Sequence, residues 1–268
     1  MEEVRISFWT KFQKYRLFER DGVKYIVPQD VSSRWEYNPV EIENKILCDA
    51  LNIGKLLDEQ YTGHDKEIMD FVNKYGLLGV LPDLTETDID FNKQLVIHEN
   101  IFYPSGLVSS ESFVQSFFPC EEVPVQNSTG HSQGYQSRSG FYSKLFMSGR
   151  YYGERLDWFR QYFEYLYSYM ADEANPLEIL TFNKPHLTYK IDLVEYDDSY
   201  KPALICEYPS LKSVIDIAFA KAITDDRKPL RYCKHCGKIF YAKDVRSEFC
   251  SPRCRNQYNV YKSRAKHS

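Results

Sequence analysis

Apolar residues recur along this chain at two spacings, and the switches between them divide it into hairpins and helices. Near the start, Val4, Ile6 and Phe8 alternate with polar residues, and Tyr15–Arg20 leads through Asp21-Gly22 into Val23 to Val27. A period of two is that of a strand with one buried face, and Asp-Gly accepts the positive φ of a tight turn, so an N-terminal hairpin is predicted. After Asn38-Pro39, a capping residue followed by a ring that presets φ, Val40, Ile42, Ile46, Leu47, Ala50 and Leu51 return at helical spacing. A helix of about three or four turns is predicted there. A second helix is predicted from Asp65 to Tyr75, closed by Gly76.

Further on, Leu156, Phe159, Phe163, Leu166 and Met170 form a helical stripe within Tyr151 to Met170, and the aromatics on its flanks mark a helix buried on most sides. Leu187, Tyr189, Ile191 and Leu193, then Ala203 to Tyr208, alternate on either side of Asp197-Asp198-Ser199, which predicts a second hairpin. Ser210 is placed to cap a helix that turns Leu211, Val214, Ile215, Ala218 and Ala222 inward, and Thr224 to Pro229 reads as a linker. The acidic run Pro82 to Asp90 reads as a solvated loop, and a Ser-, Gly- and Gln-rich stretch at about 126–145 as a mobile loop. No repeat is visible. The predicted class is α+β.

Composition adds bounds. The 268 residues are 43% hydrophobic and 27% charged, enough for one large core or two modest ones. Twenty-two Tyr and 17 Phe raise the aromatic share to 16%, which serves core and rim packing first and stacking surfaces second. No apolar run reaches the roughly 18 residues of a membrane span, and the start lacks the basic-then-apolar layout of a signal peptide, so a cytoplasmic location without membrane contact is expected. Cys48, Cys120 and Cys206 are isolated in apolar surroundings and are expected as free thiols in the core.

Charge divides the chain more sharply than hydropathy does. Residues 227–268 hold 12 Lys/Arg against Asp244 and Glu248, a net of +10, while residues 1–226 hold 22 basic and 36 acidic groups, a net of −14. The expected organisation is an acidic α+β body, 1–226, followed by a basic module, 227–268. Such an asymmetry fits a polyanion-binding tail, and equally a basic tail docked on its own acidic body.

The basic module carries the chemistry. Cys233, Cys236, Cys250 and Cys254 are spaced C-x2-C-x13-C-x3-C. Two short cysteine hooks joined by a hairpin supply the four thiolates of a tetrahedral zinc site, so Zn2+ is the expected cofactor. Ser251-Pro252 is a helix start that places Cys250 just before the helix and Cys254 in its first turn, a treble-clef-like order. On that helix Tyr258, Tyr261 and Ala265 share the Cys254 side and are expected to pack, whereas Arg255, Asn259, Lys262 and Lys266 form a basic face. Arg253, Arg255, Asn256, Asn259, Lys262 and Arg264 are the candidate nucleic-acid contacts. His235, between two ligands, is expected to face solvent or the helix, and His267 to be disordered.

The run Y-C-K-H-C-G-K-I-F, then F-C-S-P-R-C-R-N-Q-Y-N-V-Y-K-S-R, resembles the CGNR zinc-finger family of bacterial proteins over about 40 C-terminal residues. Cys254-Arg255-Asn256-Gln257 stands where that family has Cys-Gly-Asn-Arg. The resemblance implies a finger attached to a larger N-terminal α/β domain, and DNA binding by the finger in transcriptional regulators.

Two functions compete. In one, the finger binds DNA or RNA and the body senses or oligomerises. In the other, zinc only stabilises a module that docks on an acidic protein partner or on the body itself. Catalysis ranks behind both: the chain lacks a Gly-rich phosphate loop, H-E-x-x-H and G-x-S-x-G, and His98 and His186 are lone histidines.

Overall fold

A computed structural model describes residues 4–6, 9–30, 34–59, 62–79, 94–98, 101–104, 153–171, 188–196, 199–208 and 210–265. The acidic run at 82–90, the stretch at 126–145, Cys120, His186, Lys266 and His267 lie outside them. Helices and small, mainly antiparallel sheets make up an α+β fold.

Strand β1 (Val4–Ile6), β2 (Trp9–Phe12), β3 (Tyr15–Arg20) and β4 (Val23–Pro28) open the chain. The predicted hairpin is β3 with β4, antiparallel, and its turn holds Asp21 at φ 52° and Gly22 at φ 76°. The first strand is not part of it. β1 runs parallel to a strand some 200 residues later, with Val4 opposite Ile205, and β2 pairs antiparallel with β5 (Arg34–Tyr37). Alternation reports a strand and its face but not its partner, so both pairings were invisible to local pattern.

Asn38 accepts from the Val40 amide at 3.2 Å and starts a 3-10 turn, Pro39–Ile42, which runs into helix α1 (Glu43–Asp58). Ile46, Leu47, Ala50 and Leu51 face the core, as predicted, whereas Ile42 stays exposed. Helix α2 (His64–Tyr75) ends at Gly76, whose φ of 94° suits a residue without a side chain. The β2–β5 ribbon covers this end: Lys11 Nζ donates to the carbonyls of Asn73 (3.0 Å) and Lys74 (2.8 Å), and the Tyr37 hydroxyl to that of Tyr75 (2.7 Å). These are the carbonyls a helix leaves without internal partners.

A short hairpin, β6 (Gln94–His98) with β7 (Ile101–Pro104), precedes β8 (Glu154–Arg155), which adds to β4. Helix α3 (Leu156–Ala171) buries Leu156, Phe159, Phe163 and Leu166 as the stripe predicts. It crosses α1 so closely that a Cβ on Gly54 would stand 2.0 Å from the Phe163 carbonyl oxygen. Strands β9 (Thr188–Tyr196) and β10 (Ser199–Glu207) form the second predicted hairpin, with Tyr189, Ile191 and Leu193 on an exposed face.

Ser210 accepts from the Ser213 amide at 3.0 Å and caps helix α4 (Leu211–Thr224), whose predicted inward residues are all buried. Its buried Lys212 and Asp216 pair at 2.7 Å, and Tyr162 donates to the same carboxylate at 2.7 Å, so the charges are compensated inside the fold. Cys48 and Cys206 are buried free thiols. Helix α1 sits in the middle, touching α2, α3, α4 and the C-terminal module.

Candidate metal centre

The C-terminal module consists of β11 (Leu230–Tyr232), β12 (Ile239–Tyr241) and helix α5 (Pro252–Arg264). β11 and β12 pair antiparallel, with Tyr232 opposite Ile239, and the turn between them carries the first two cysteines. The turn is closed by two backbone bonds, Gly237 N–H to the Cys233 carbonyl and Cys233 N–H to that of Lys238, both 2.9 Å. Gly237 adopts φ 69°, which lets the chain reverse between ligand and strand. The third cysteine precedes α5 and the fourth lies in its first turn, where the Ser251 hydroxyl accepts the Cys254 amide at 3.2 Å.

The chain thus brings four sulfurs together from two separate segments, all within 4.8 Å of one another. Cys236 and Cys250 sulfurs are 3.7 Å apart, and Cys250 and Cys254 sulfurs 3.5 Å. A tetrahedron with metal–sulfur arms of about 2.3 Å has edges of about 3.8 Å, whereas a disulfide would require about 2.05 Å. The spacing is that of ligands around one ion, not of bonded sulfurs. Cys233 is buried, Cys254 half-buried, and Cys236 and Cys250 exposed.

Electrostatics distinguish the thiols. Burial alone would push the Cys233 thiol up, but the backbone N–H groups of Cys236, Cys250 and His235 point at its sulfur and hold it down at about 6. Burial and the neighbouring sulfurs push Cys250 up to about 12, and burial raises Cys236. Bringing four thiols together is unfavourable for charging more than one, so a cation is what would ionise the set.

Surrounding contacts hold the cage. The Arg231 guanidinium donates to the carbonyls of Val245, Ser247, Lys228 and Arg227, and Lys234 pairs with Glu248. These bonds tie the 243–249 loop to the hairpin. Phe249 meets Tyr258 at 5.2 Å between ring centroids. His235 turns away from the sulfurs and stacks on Tyr261, at 5.8 Å and 17°.

Helix α5 corrects one expectation. Tyr258 is half-buried, but Tyr261 is 59% exposed and Ala265 is exposed. No residue of α5 is buried, because the cysteines and two aromatic contacts anchor it where a small core was expected. All six candidate nucleic-acid contacts, Arg253, Arg255, Asn256, Asn259, Lys262 and Arg264, lie exposed on this helix. Its 13 residues include four cations and no carboxylate.

The hairpin faces the other way. Ile239 is 2% exposed and belongs to the body's core cluster, with Leu230 and Tyr241 packed against it. Asn52 of α1 bonds both polar groups of the Ile239 backbone, and Lys55 Nζ donates to the Gly237 carbonyl at 3.0 Å. Sequence reading missed Asn52 and Lys55, which stand among the other polar residues of α1 with no local pattern to mark them.

Among the described residues, no helix is long and apolar enough to cross a membrane. Comparison of the chain with family models, with curated proteins and with solved structures gives no match, so the four clustered cysteines and the residues around them carry the functional reading.

Proposed function

We propose that this is a zinc protein that binds nucleic acid through its C-terminal finger, with DNA as the first candidate and transcriptional regulation as the role the CGNR resemblance suggests. The observation that carries the reading is α5: a cationic helix anchored by its cysteine and two aromatic contacts, with no residue buried. The side chains of Arg253, Arg255 and Lys262 enter no hydrogen bond or ion pair among the described residues, so nothing there competes for them with phosphate. Four cysteines with no open position suit a structural zinc, which would order the helix without taking part in chemistry. Thiolate ligands of this kind suit a reducing compartment, in line with a cytoplasmic location.

The test is binding of the zinc-loaded chain to mixed-sequence duplex DNA across a salt series. Expected is a linear fall of log K with log salt, with a slope of about −0.9 per phosphate engaged. Arg255→Glu with Lys262→Glu should flatten that slope and weaken binding without loss of zinc. No duplex binding even at low salt would overturn duplex DNA as the ligand, and failure on single strands as well would overturn the proposal.

A second reading is supported by the clamp of Asn52 and Lys55 on the hairpin. In it the finger is chiefly a structural module docked on the body, and α5 offers its charge to an acidic protein. Loss of nucleic-acid binding with retention of an acidic partner would favour this reading.

A further inference from the structure

Tyr261 is 59% exposed, and its ring does not stand alone. It lies nearly parallel to the His235 imidazole, at 17° and 5.8 Å between centroids, an offset stack that leaves most of the tyrosine ring open to solvent. His235 stands between the ligands Cys233 and Cys236, so the metal site itself orients the lower half of the stack. An exposed aromatic face beside a second ring can accept another flat group by stacking.

What surrounds the ring narrows the class of that group. At about 100° per residue, Arg253 and Arg264 fall on one side of Tyr261, and Arg255 and Lys262 on the other. The helix has no carboxylate to offset them. An aromatic face between two rows of cations suits a polyanion whose flat groups turn inward while its charges run along the rows. An acidic peptide supplies the charges but no planar faces. A duplex supplies both, but its base faces are stacked on one another and closed to a tyrosine.

We infer that the His235–Tyr261 stack is a base-stacking platform and that the finger's preferred ligand is single-stranded nucleic acid. This rests on the nucleic-acid reading above and narrows it; duplex binding would use the cations alone.

The experiment uses the full-length, zinc-loaded chain and fluorescence anisotropy with three labelled probes: short oligo(dT), oligo(U) of equal length, and a mixed-sequence duplex. Expected is tighter binding of single strands than of duplex by on the order of tenfold, the worth of about one base–aromatic stack. Tyr261→Ala should remove that preference and leave duplex affinity unchanged, while Tyr261→Phe retains it. The ratio between oligo(dT) and oligo(U) then tells a DNA from an RNA ligand, and either outcome supports the platform. Zinc content of Tyr261→Ala should match the parent, since the ring is exposed and none of the four cysteines is altered. Duplex binding as tight as single-strand binding, or a Tyr261→Ala protein that binds oligo(dT) and oligo(U) like the parent, would overturn this inference alone. Failure of all three probes at low salt would overturn the nucleic-acid reading with it.

Discussion

The side-chain amide of Asn52 grips the backbone of Ile239 at both of its polar groups: it accepts from the Ile239 N–H at 2.8 Å and donates to the Ile239 carbonyl at 2.9 Å. The same amide nitrogen donates to the Cys48 carbonyl at 2.7 Å. One side chain of the central helix thus replaces a missing sheet neighbour for the finger hairpin. Replacing Asn52 by Ala or Leu leaves these backbone groups without partners, and should cost about 2 to 3 kcal/mol in denaturant unfolding. A metal ion held by the four cysteines should also leave such a variant faster in the presence of a chelator.

Ile239 links the metal to the core. Ile239→Ala should lower the stability of the zinc-loaded protein by about 2 to 4 kcal/mol, as large-to-small changes in cores do. In chelator-stripped protein the hairpin is no longer held against α1, and the same change should cost well under half as much. The non-additivity, read from a double cycle of mutation and metal removal, measures how much of the docking depends on the ion. Equal costs in both states would show that the hairpin stays docked without metal.

Gly54→Ala tests the crossing of α1 and α3. Alanine is the better helix former by about 1 kcal/mol, so on propensity alone the change would stabilise. The new Cβ would meet the Phe163 carbonyl oxygen at 2.0 Å and Tyr167 Cβ at 2.7 Å, and backbone cannot yield as a side-chain tip does. Net destabilisation of about 2 kcal/mol or more is expected by thermal or denaturant unfolding.

Asp65 supplies a pH dependence. Burial tends to raise its carboxyl, but the hydrogen bond and charge of Arg160, with His64 and Lys24 nearby, outweigh burial and hold it below the ordinary value. The folded state therefore holds this proton less tightly than the unfolded state. The contribution is complete above about pH 4 and is lost as the pH falls through the folded value. The stability difference between the parent and Asp65→Asn should be on the order of 1 kcal/mol near neutrality and vanish in acid, when both are unfolded by denaturant at a series of pH values.

Local chemistry was legible wherever neighbours in sequence decide it. Asp21-Gly22, Asn38-Pro39, Ser210 and Ser251-Pro252 each do in the structure what their side chains dictate. The cysteine spacing foretold which sulfurs meet, because each hook is short enough to be set by one turn. What escaped was pairing at a distance. Val4 beside Ile205 and Asn52 beside Ile239 are matched by the fold as a whole, and no periodicity marks them. Tyr261 was misread for a related reason: a helical stripe says which residues share a face, not whether anything lies opposite it.

The position of Ile239 in the core has a consequence for how the protein matures. The finger follows every other described element in the chain, so a ribosome delivers it after all of them. Until it emerges, α1 waits with a gap where Ile239 belongs and with an Asn52 amide bonded only within its own helix, to the Cys48 carbonyl. Completing the core therefore coincides with closing the metal site, and where the ion is scarce an unfinished, protease-sensitive body should accumulate as well as an empty finger.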